Sequence, residues 1–124
     1  MPPKVVFGNA HLEGEDRGGW FVGHFVTPTD DPRSNSILEV KWGVHKAGES
    51  RTQWARNVEA TTVSILVKGQ FRLQFPDRDV LLACEGDYVL WSAGVPHCWL
   101  AESDSTVVNI RWPSKSGDSI GIEE

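Results

Sequence analysis

The sequence predicts a single all-β domain, and three observations support this. Glycine and proline account for 12 and 7 of the 124 residues and interrupt the chain every several positions. No segment has a long apolar period of 3.6 residues, so helices should be few and short. Several short segments instead alternate apolar and polar residues, as half-buried strands do. A chain of this length is long enough for one domain with its own core.

The predicted strands follow one another with turn residues between them. Segment 19–26 is apolar and predicts a flanking strand, and 36–46 predicts a strand with two distinct faces. Its apolar face holds Leu38, Val40, Trp42 and Val44, and its polar face holds Glu39, Lys41 and His45. Further strands are predicted at 61–68, 70–75, 80–84, 87–91, 97–101 and 106–112, with a hairpin turn at 76–79. Seven or eight short strands indicate a sandwich or barrel.

The strand pattern also sets the predicted boundaries. Residues 1–35 are expected to form an N-terminal extension with the flanking strand, and residues 36–113 the barrel. Residues 114–124 are expected to be a flexible tail, because they contain few apolar residues. On their apolar strand faces, Trp42 and Trp112 are expected to be core residues.

Composition excludes several classes of partner. The net charge of −5, with no basic run, argues against nucleic acid, because phosphate binding requires a basic face. No segment has the length of a membrane span, and the N-terminus lacks the apolar core of a signal peptide. Cys84 and Cys98 lie in apolar segments, which predicts buried thiols rather than a disulfide. We therefore expect a cytoplasmic protein with no membrane or nucleic-acid partner.

Residues 86–101 contain a spaced set of glycines and a histidine. They resemble the second signature of the cupin superfamily, G-x5-P-x-G-x2-H-x3-N, with matches at Gly86, Gly94 and His97. Ser92 replaces the proline, and Ala101 replaces the asparagine. The resemblance implies a double-stranded β-helix, the cupin jelly roll, in which the histidine points into the barrel and usually holds a metal. It also implies a homodimer.

The first cupin signature, G-x5-H-x-H-x3-4-E-x6-G, is degenerate in this chain. Counting back from Gly69 places Thr62 where the family has its glutamate. The two histidine positions fall on Ala55 and Asn57 or, with a one-residue bulge, on Trp54 and Arg56. None of these side chains supplies the imidazole and carboxylate ligands of a divalent metal. We therefore expect no resident cofactor, while a divalent transition metal held by His97 and His45 stays an alternative.

The candidate site is built around His97, which is the candidate catalytic residue and a candidate ligand contact. The other candidate ligand-binding residues are Trp54, Arg56, Thr62, Ser64, Trp99 and Arg111. Tryptophans beside His97 would form a stacking pocket, although packing alone is the alternative. A guanidinium among aromatic rings favours a carboxylate or phosphate ligand, although a solvated surface arginine is the alternative. His45 is either a half-exposed strand histidine or a pocket residue.

Two functional hypotheses follow from these residues. The first is a metal-independent binding protein for a compact anionic small molecule. The second is an enzyme, either an isomerase, epimerase or lyase that uses His97 as acid or base, or a metal-dependent oxygenase with an atypical site. Fold alone does not choose between the two hypotheses.

Overall fold

The protein folds as two antiparallel sheets packed face to face. The computed structural model describes residues 4–122. A short helix α1 (Ala10–Gly14) and a 3-10 turn (Glu15–Arg17) precede the strands. The strands are β1 Trp20–Val22, β2 Glu39–His45, β3 Ser50–Asn57, β4 Thr61–Lys68, β5 Phe71–Phe75, β6 Arg78–Leu82, β7 Tyr88–Trp91, β8 His97–Ala101, β9 Ser105–Trp112 and β10 Ser119–Gly121.

The strand order is that of a jelly roll. Sheet A has the order β1-β2-β9-β4-β7, and sheet B has the order β10-β3-β8-β5-β6. From β2 onward the chain alternates between the two sheets, except at the β5–β6 hairpin. The predicted all-β double-stranded β-helix is therefore confirmed, and β1 is the predicted flanking strand at the edge of sheet A. Within residues 4–122, the helical segments are too short to cross a bilayer.

Most strand predictions hold closely. Strands β4 and β8 have the predicted bounds, and Phe75 pairs with Arg78 across the expected hairpin turn. Strand β3 was not among the predicted strands, because its sequence SRTQWARN shows no regular apolar alternation. It coincides with the segment where the first cupin signature is degenerate.

The predicted orientation of the 36–46 strand is wrong. Lys41 and His45 point between the sheets and line a cavity there, while Val44 is 51% exposed on the outer face. Trp112 is likewise 39% exposed on the outer face of β9, and Trp42 is only partly buried, so neither is a core residue. Alternation identifies residues that share a face, but here the interior face is the polar one.

The apolar core fills only part of the space between the sheets. It consists of buried side chains from strands of both sheets, namely Leu66, Phe71, Leu73, Phe75, Leu82, Trp91, Ala101 and Val107. Phe71, Leu73 and Trp91 also line the polar cavity, so they form the boundary between the two. The core therefore closes the barrel below the cavity.

The C-terminal segment is not the flexible tail that the sequence predicts. Strand β10 pairs with β3, and Asp118 is buried. The Asp118 carboxylate accepts hydrogen bonds from the Glu59 and Ala60 amides, at 2.8 and 3.0 Å, and from Asn57 Nδ2 at 3.2 Å. These polar contacts fix a segment with little apolar surface of its own, and residues 123–124 lie outside the described residues.

The two cysteines differ in environment. Cys98 is buried, and its thiol lies 3.2 Å from Gln74 Oε1, whereas Cys84 is exposed. Neither forms a disulfide. The expectation of burial is therefore wrong for Cys84, which lies just beyond the end of β6 rather than inside a strand.

Candidate functional site

A cavity of about 230 Å³ lies between the two sheets. Its polar lining residues are Lys41, His45, Arg51, Asn57, Thr62, Ser64, His97, Asn109, Arg111 and Ser119. Its apolar and aromatic lining residues are Trp20, Phe71, Leu73, Trp91 and Trp99. Because both sheets contribute, the site depends on the closed barrel and not on one segment.

Sheet A supplies one wall through two rows of paired residues. One row runs across the strands as Lys41, Asn109 and Ser64, and the next as Glu39, Arg111, Thr62 and Trp91. Residues directly opposite one another on neighbouring strands point to the same side of the sheet. The pairing register therefore directs these polar side chains inward together, and Ser64 Oγ donates a hydrogen bond to Asn109 Oδ1.

His97 lies on the opposite wall in a fixed orientation. Its Nδ1 is 3.0 Å from the carbonyl oxygen of Val95, which only accepts, so Nδ1 carries a proton. In the neutral ring, Nε2 then holds the lone pair. The ring packs against Trp91, with centroids 4.8 Å apart. Burial is the main cause that lowers the pKa of His97 to about 4; the charges of Arg51 and Arg111 act in the same direction, and the Val95 hydrogen bond opposes them.

Three cations line the cavity. Arg111 donates from Nε to Glu39 Oε1 at 2.6 Å, and its guanidinium lies 4.1 Å from the centre of the Trp20 ring. Arg51 donates from Nη2 to the His97 carbonyl oxygen at 3.2 Å. Lys41 is the third, and burial, followed by repulsion from the two arginines, lowers its pKa to about 8. No carboxylate is among the cavity-lining residues of the described chain.

Polar atoms without a protein partner concentrate at this cavity. Arg51 Nε, Thr62 Oγ1 and Trp91 Nε1 are buried and make no hydrogen bond within the described residues. All three residues line the cavity. Leaving a buried polar group unpaired costs roughly 1–3 kcal/mol, so such atoms are rare and require an explanation. Two of the three, Arg51 Nε and Trp91 Nε1, can only donate.

The structure brings most of the sequence-predicted candidates together. The predicted residues that line the cavity are His45, Thr62, Ser64, His97, Trp99 and Arg111. His45 lies within it against aromatic rings, 4.4 Å from Trp99 and 5.1 Å from Phe71 between ring centroids. Burial lowers the pKa of His45, as does the charge of Lys41.

The structure does not bring Trp54 and Arg56 to the cavity. Ala55 pairs with His97 and is buried, so its neighbours on either side project from the other face of β3. Arg51, four residues before Ala55, lies on the same face as Ala55 and lines the cavity, although the pairing of β3 with β8 is irregular between the two residues.

The lining residues that the sequence analysis did not predict include Trp20, Lys41, Arg51 and Asn109. Lys41 shares the polar face of β2 with His45, and Asn109 shares the polar face of β9 with Arg111. Once these faces are known to be the inner ones, the alternation predicts that Lys41 and Asn109 line the cavity. Arg51 had no such signal, because the sequence of β3 shows no regular apolar alternation that would identify a strand or its inner face. Trp20 lies at the cavity because it pairs with Lys41 across β1 and β2.

The residues present do not fit the divalent metal that the fold commonly holds. Register places Ala55 opposite His97, so the family's remaining ligand positions correspond to Ala55, Asn57 and Thr62. Asn57 is already bonded to Asp118. Among residues 4–122, no group of three or more His, Cys, Asp or Glu side chains is placed to hold a metal. His97 and His45 thus lack a third ligand of these types.

Comparison with known proteins addresses the fold. No family model matches the chain, and no curated protein does. Among solved structures, it is similar to KdgF from Halomonas sp., with 20% identity, 66% of this chain and 74% of that chain covered, and a TM-score of 0.57. An uncharacterised double-stranded β-helix protein from Klebsiella pneumoniae gives 13% identity, 73% and 78% coverage, and a TM-score of 0.63. An RmlC-like cupin protein from Desulfovibrio desulfuricans gives 19% identity, 64% and 74% coverage, and a TM-score of 0.56.

These likenesses agree with the strand order and with the signature at residues 86–101. At such identities they establish architecture only. The chain has the cupin fold, a double-stranded β-helix of two antiparallel sheets.

Proposed function

We propose that this cupin-fold protein binds a compact anionic small molecule without a metal. The observation that carries the proposal is the charge of the cavity lining. Lys41, Arg51 and Arg111 face a space with no lining carboxylate, in a chain whose net charge is −5. Glu39 offsets one of these charges from behind Arg111. Lys41 and Arg51 have no such carboxylate partner among the described lining residues, and a cavity with excess positive charge favours an anion.

The unpaired donors support the same ligand class. Arg51 Nε and Trp91 Nε1 require acceptors, and a carboxylate or phosphate oxygen is an acceptor only. The cavity of about 230 Å³ is below the roughly 300–1,000 Å³ of sites for drug-sized ligands. It is equal to about eight water volumes, at about 30 Å³ each, which suits a ligand of only a few heavy atoms.

His97 suits binding better than proton abstraction. With Nδ1 committed to Val95, Nε2 accepts a hydrogen bond from a ligand hydroxyl or similar donor. General bases work best when their pKa lies near the operating pH, and the pKa of His97 is about 4. An isomerase, epimerase or lyase that uses His97 is therefore the second candidate. A metal-dependent oxygenase would require ligands that the lining does not supply.

The test is calorimetric titration with small anions such as lactate, malonate and phosphate. Arg51→Met should weaken binding about 10- to 100-fold, as expected for a lost charge-assisted hydrogen bond. Arg56→Met is the matched control, because Arg56 is on the same strand but outside the cavity lining. Its affinity should equal that of the wild type.

Two results would overturn the proposal. Failure of every small anion to bind, or equal losses in the two arginine variants, would remove the cationic cavity as the site. Stoichiometric iron, zinc, manganese or nickel in protein purified without chelator or affinity tag, lost in His97→Ala, would overturn the metal-free part.

We also propose that two copies associate through the outer face of sheet A. Its outward apolar residues include Val40, Trp42, Val63, Ile65, Leu90, Val108, Ile110 and Trp112. Contiguous apolar patches on a soluble domain commonly mark interaction surfaces. The patch lies on the side of sheet A opposite the cavity, so pairing would leave the site accessible.

A further inference from the structure

Lys41 differs from the other lysines of the chain in its surroundings. Its side chain points into the cavity, and Nζ lies 5.9 Å from the centre of the Trp20 ring, the same ring that Arg111 covers. Among residues 4–122, no carboxylate pairs with it, whereas Lys4 and Lys115 each form an ion pair. A partly buried ammonium between an indole and two guanidinium groups is destabilised relative to the neutral amine.

The neutral amine is the nucleophilic form of lysine. The pKa of Lys41 is lowered from 10.5 to about 8, first by burial and then by Arg111 and Arg51. At pH 7 this increases the neutral fraction about 300-fold over that of an ordinary lysine. Desolvation and neighbouring cations are the conditions under which enzymes use lysine to attack carbonyl carbons.

The surrounding groups also suit a carbonyl compound that carries a carboxylate. Lys41 pairs with Asn109, so Arg111 is its diagonal neighbour on the inner face of sheet A. Such neighbours lie roughly 7–8 Å apart, close enough for one compact molecule to touch both. His45 is the next inward side chain along β2. Gly43 lies between them, and the His45 ring occupies the space beside it, since a Cβ there would lie 3.0 Å from His45 Nε2.

We propose that Lys41 forms a Schiff base with the carbonyl carbon of a compact oxo-carboxylate bound in this cavity. The proposal rests on the proposed function, because the cationic lining must first hold the carboxylate. The neutral amine adds to the carbonyl carbon, and the nitrogen proton passes to the oxygen to give a carbinolamine. Uptake of one proton at that hydroxyl then expels water and leaves the protonated imine. Amine, carbonyl compound and one proton thus give iminium and water, with no oxidant or reductant.

The test is reductive trapping of the full chain with pyruvate or glyoxylate and sodium cyanoborohydride at pH 7, followed by peptide mapping. Lys41 should be labelled at least about tenfold faster than the exposed Lys46 and Lys68 of the same chain. Lys41→Met should lose that label, and Lys68→Met should retain it. Acetone, a carbonyl compound without a carboxylate, should label Lys41 much more slowly than pyruvate.

The outcomes separate this proposal from the one on which it rests. Calorimetric titration with lactate, which has no carbonyl to trap, reports anion binding alone. If lactate binds but pyruvate labels Lys41 no faster than Lys68, the Schiff-base proposal is overturned and the anion site stands. If lactate and pyruvate both fail to bind and Lys41 is not labelled, both proposals are overturned. Persistence of the fast label in Lys41→Met would assign the chemistry to another residue.

Discussion

His97 should make the protein lose stability in weak acid, and the size of the loss follows from its pKa. In the unfolded chain a histidine has a pKa of 6.5, whereas in the barrel burial and the nearby arginines lower the pKa of His97 to about 4. Between these values the unfolded state binds more protons than the folded state. His97 therefore does not reduce the free energy of unfolding above pH 6.5, and it reduces this free energy progressively as the pH decreases toward 4.

The magnitude can be worked from the two pKa values. Protonation of His97 in the unfolded chain lowers the free energy of unfolding by about 2 kcal/mol at pH 5 and by about 3 kcal/mol well below pH 4. A typical domain is stable by only about 5–15 kcal/mol, so this is a large fraction. The ring is only 7% exposed, which leaves little solvent screening to reduce the effect.

The assay is urea denaturation of the wild type and His97→Gln at pH 7.5 and pH 5. Between these values the wild type should lose about 2 kcal/mol more than the variant. His45, whose pKa is also lowered by burial, is present in both proteins and cancels in the comparison. His11→Gln, at an exposed position on α1, should behave like the wild type. Equal losses in wild type and His97→Gln would refute a neutral, buried imidazole.

Three further variants test other parts of the structure. Lys41→Met should raise the free energy of unfolding at pH 7 by about 3 kcal/mol, because the variant no longer buries an ammonium whose folded-state pKa is about 8. The wild type should gain stability between pH 8 and pH 10.5 as this lysine loses its proton, and the variant should not. Absence of either difference would contradict the burial of Lys41. Asp118→Asn should lower the free energy of unfolding, measured by urea titration, by about 2–4 kcal/mol, because an amide cannot accept all three hydrogen bonds of the carboxylate. An unchanged free energy of unfolding would mean that these hydrogen bonds do not fix the C-terminal segment. Ile110→Lys, between Val40 and Val63 on the outer face of sheet A, should reduce the mass measured by light scattering to that of the monomer and leave the affinity for lactate unchanged. Val58→Lys, at an exposed position outside that sheet, should leave the dimer mass unchanged. Equal masses in all three proteins would contradict the proposed interface.

The sequence predicts the architecture well because strand signals are local. The bounds of β4 and β8 follow from β-branched and apolar runs ended by glycine or polar residues, and the β5–β6 turn follows from residues 76–79. The resemblance to the second cupin signature at Gly86, Gly94 and His97 implies the position of His97 on its strand, and Gly94 has a φ of 87° that a side chain would disfavour.

The orientation of β2 could not be predicted from that strand alone, because alternation does not say which face is inside. The usual rule places Trp42 and Val44 inward, yet this barrel encloses polar residues and leaves an apolar face outside. The signal lay in comparing strands. Lys41 and His45 on one strand, and Asn109 and Arg111 on another, form the same pattern, which one strand alone cannot reveal.

Arg51 could not be predicted for a different reason. An irregular pairing between Arg51 and Ala55 shifts the register of β3 against β8. Between the pairings Arg51–Trp99 and Ala55–His97, β3 advances by four residues and β8 by two, so this even offset leaves Arg51 and Ala55 on the same face. The sequence left two registers open, one with Ala55 and Asn57 inward and one with Trp54 and Arg56 inward. Only the pairing of Ala55 with His97 decides between them, and that contact spans 42 residues of chain.

The cationic lining of the cavity and the absence of the family's metal ligands are physically compatible. A divalent metal in a barrel supplies concentrated positive charge to which an anionic ligand binds. Here Ala55, Asn57 and Thr62 occupy the ligand positions without donating to a metal, and Lys41, Arg51 and Arg111 surround the same space. Those three charges would repel a divalent cation, so the two changes are consistent with each other. Positive charge carried by side chains also brings fixed N–H donors, and Lys41 adds a nucleophile that a metal ion does not. We infer that side-chain cations in this barrel can supply the attraction for an anion that a metal ion would otherwise supply.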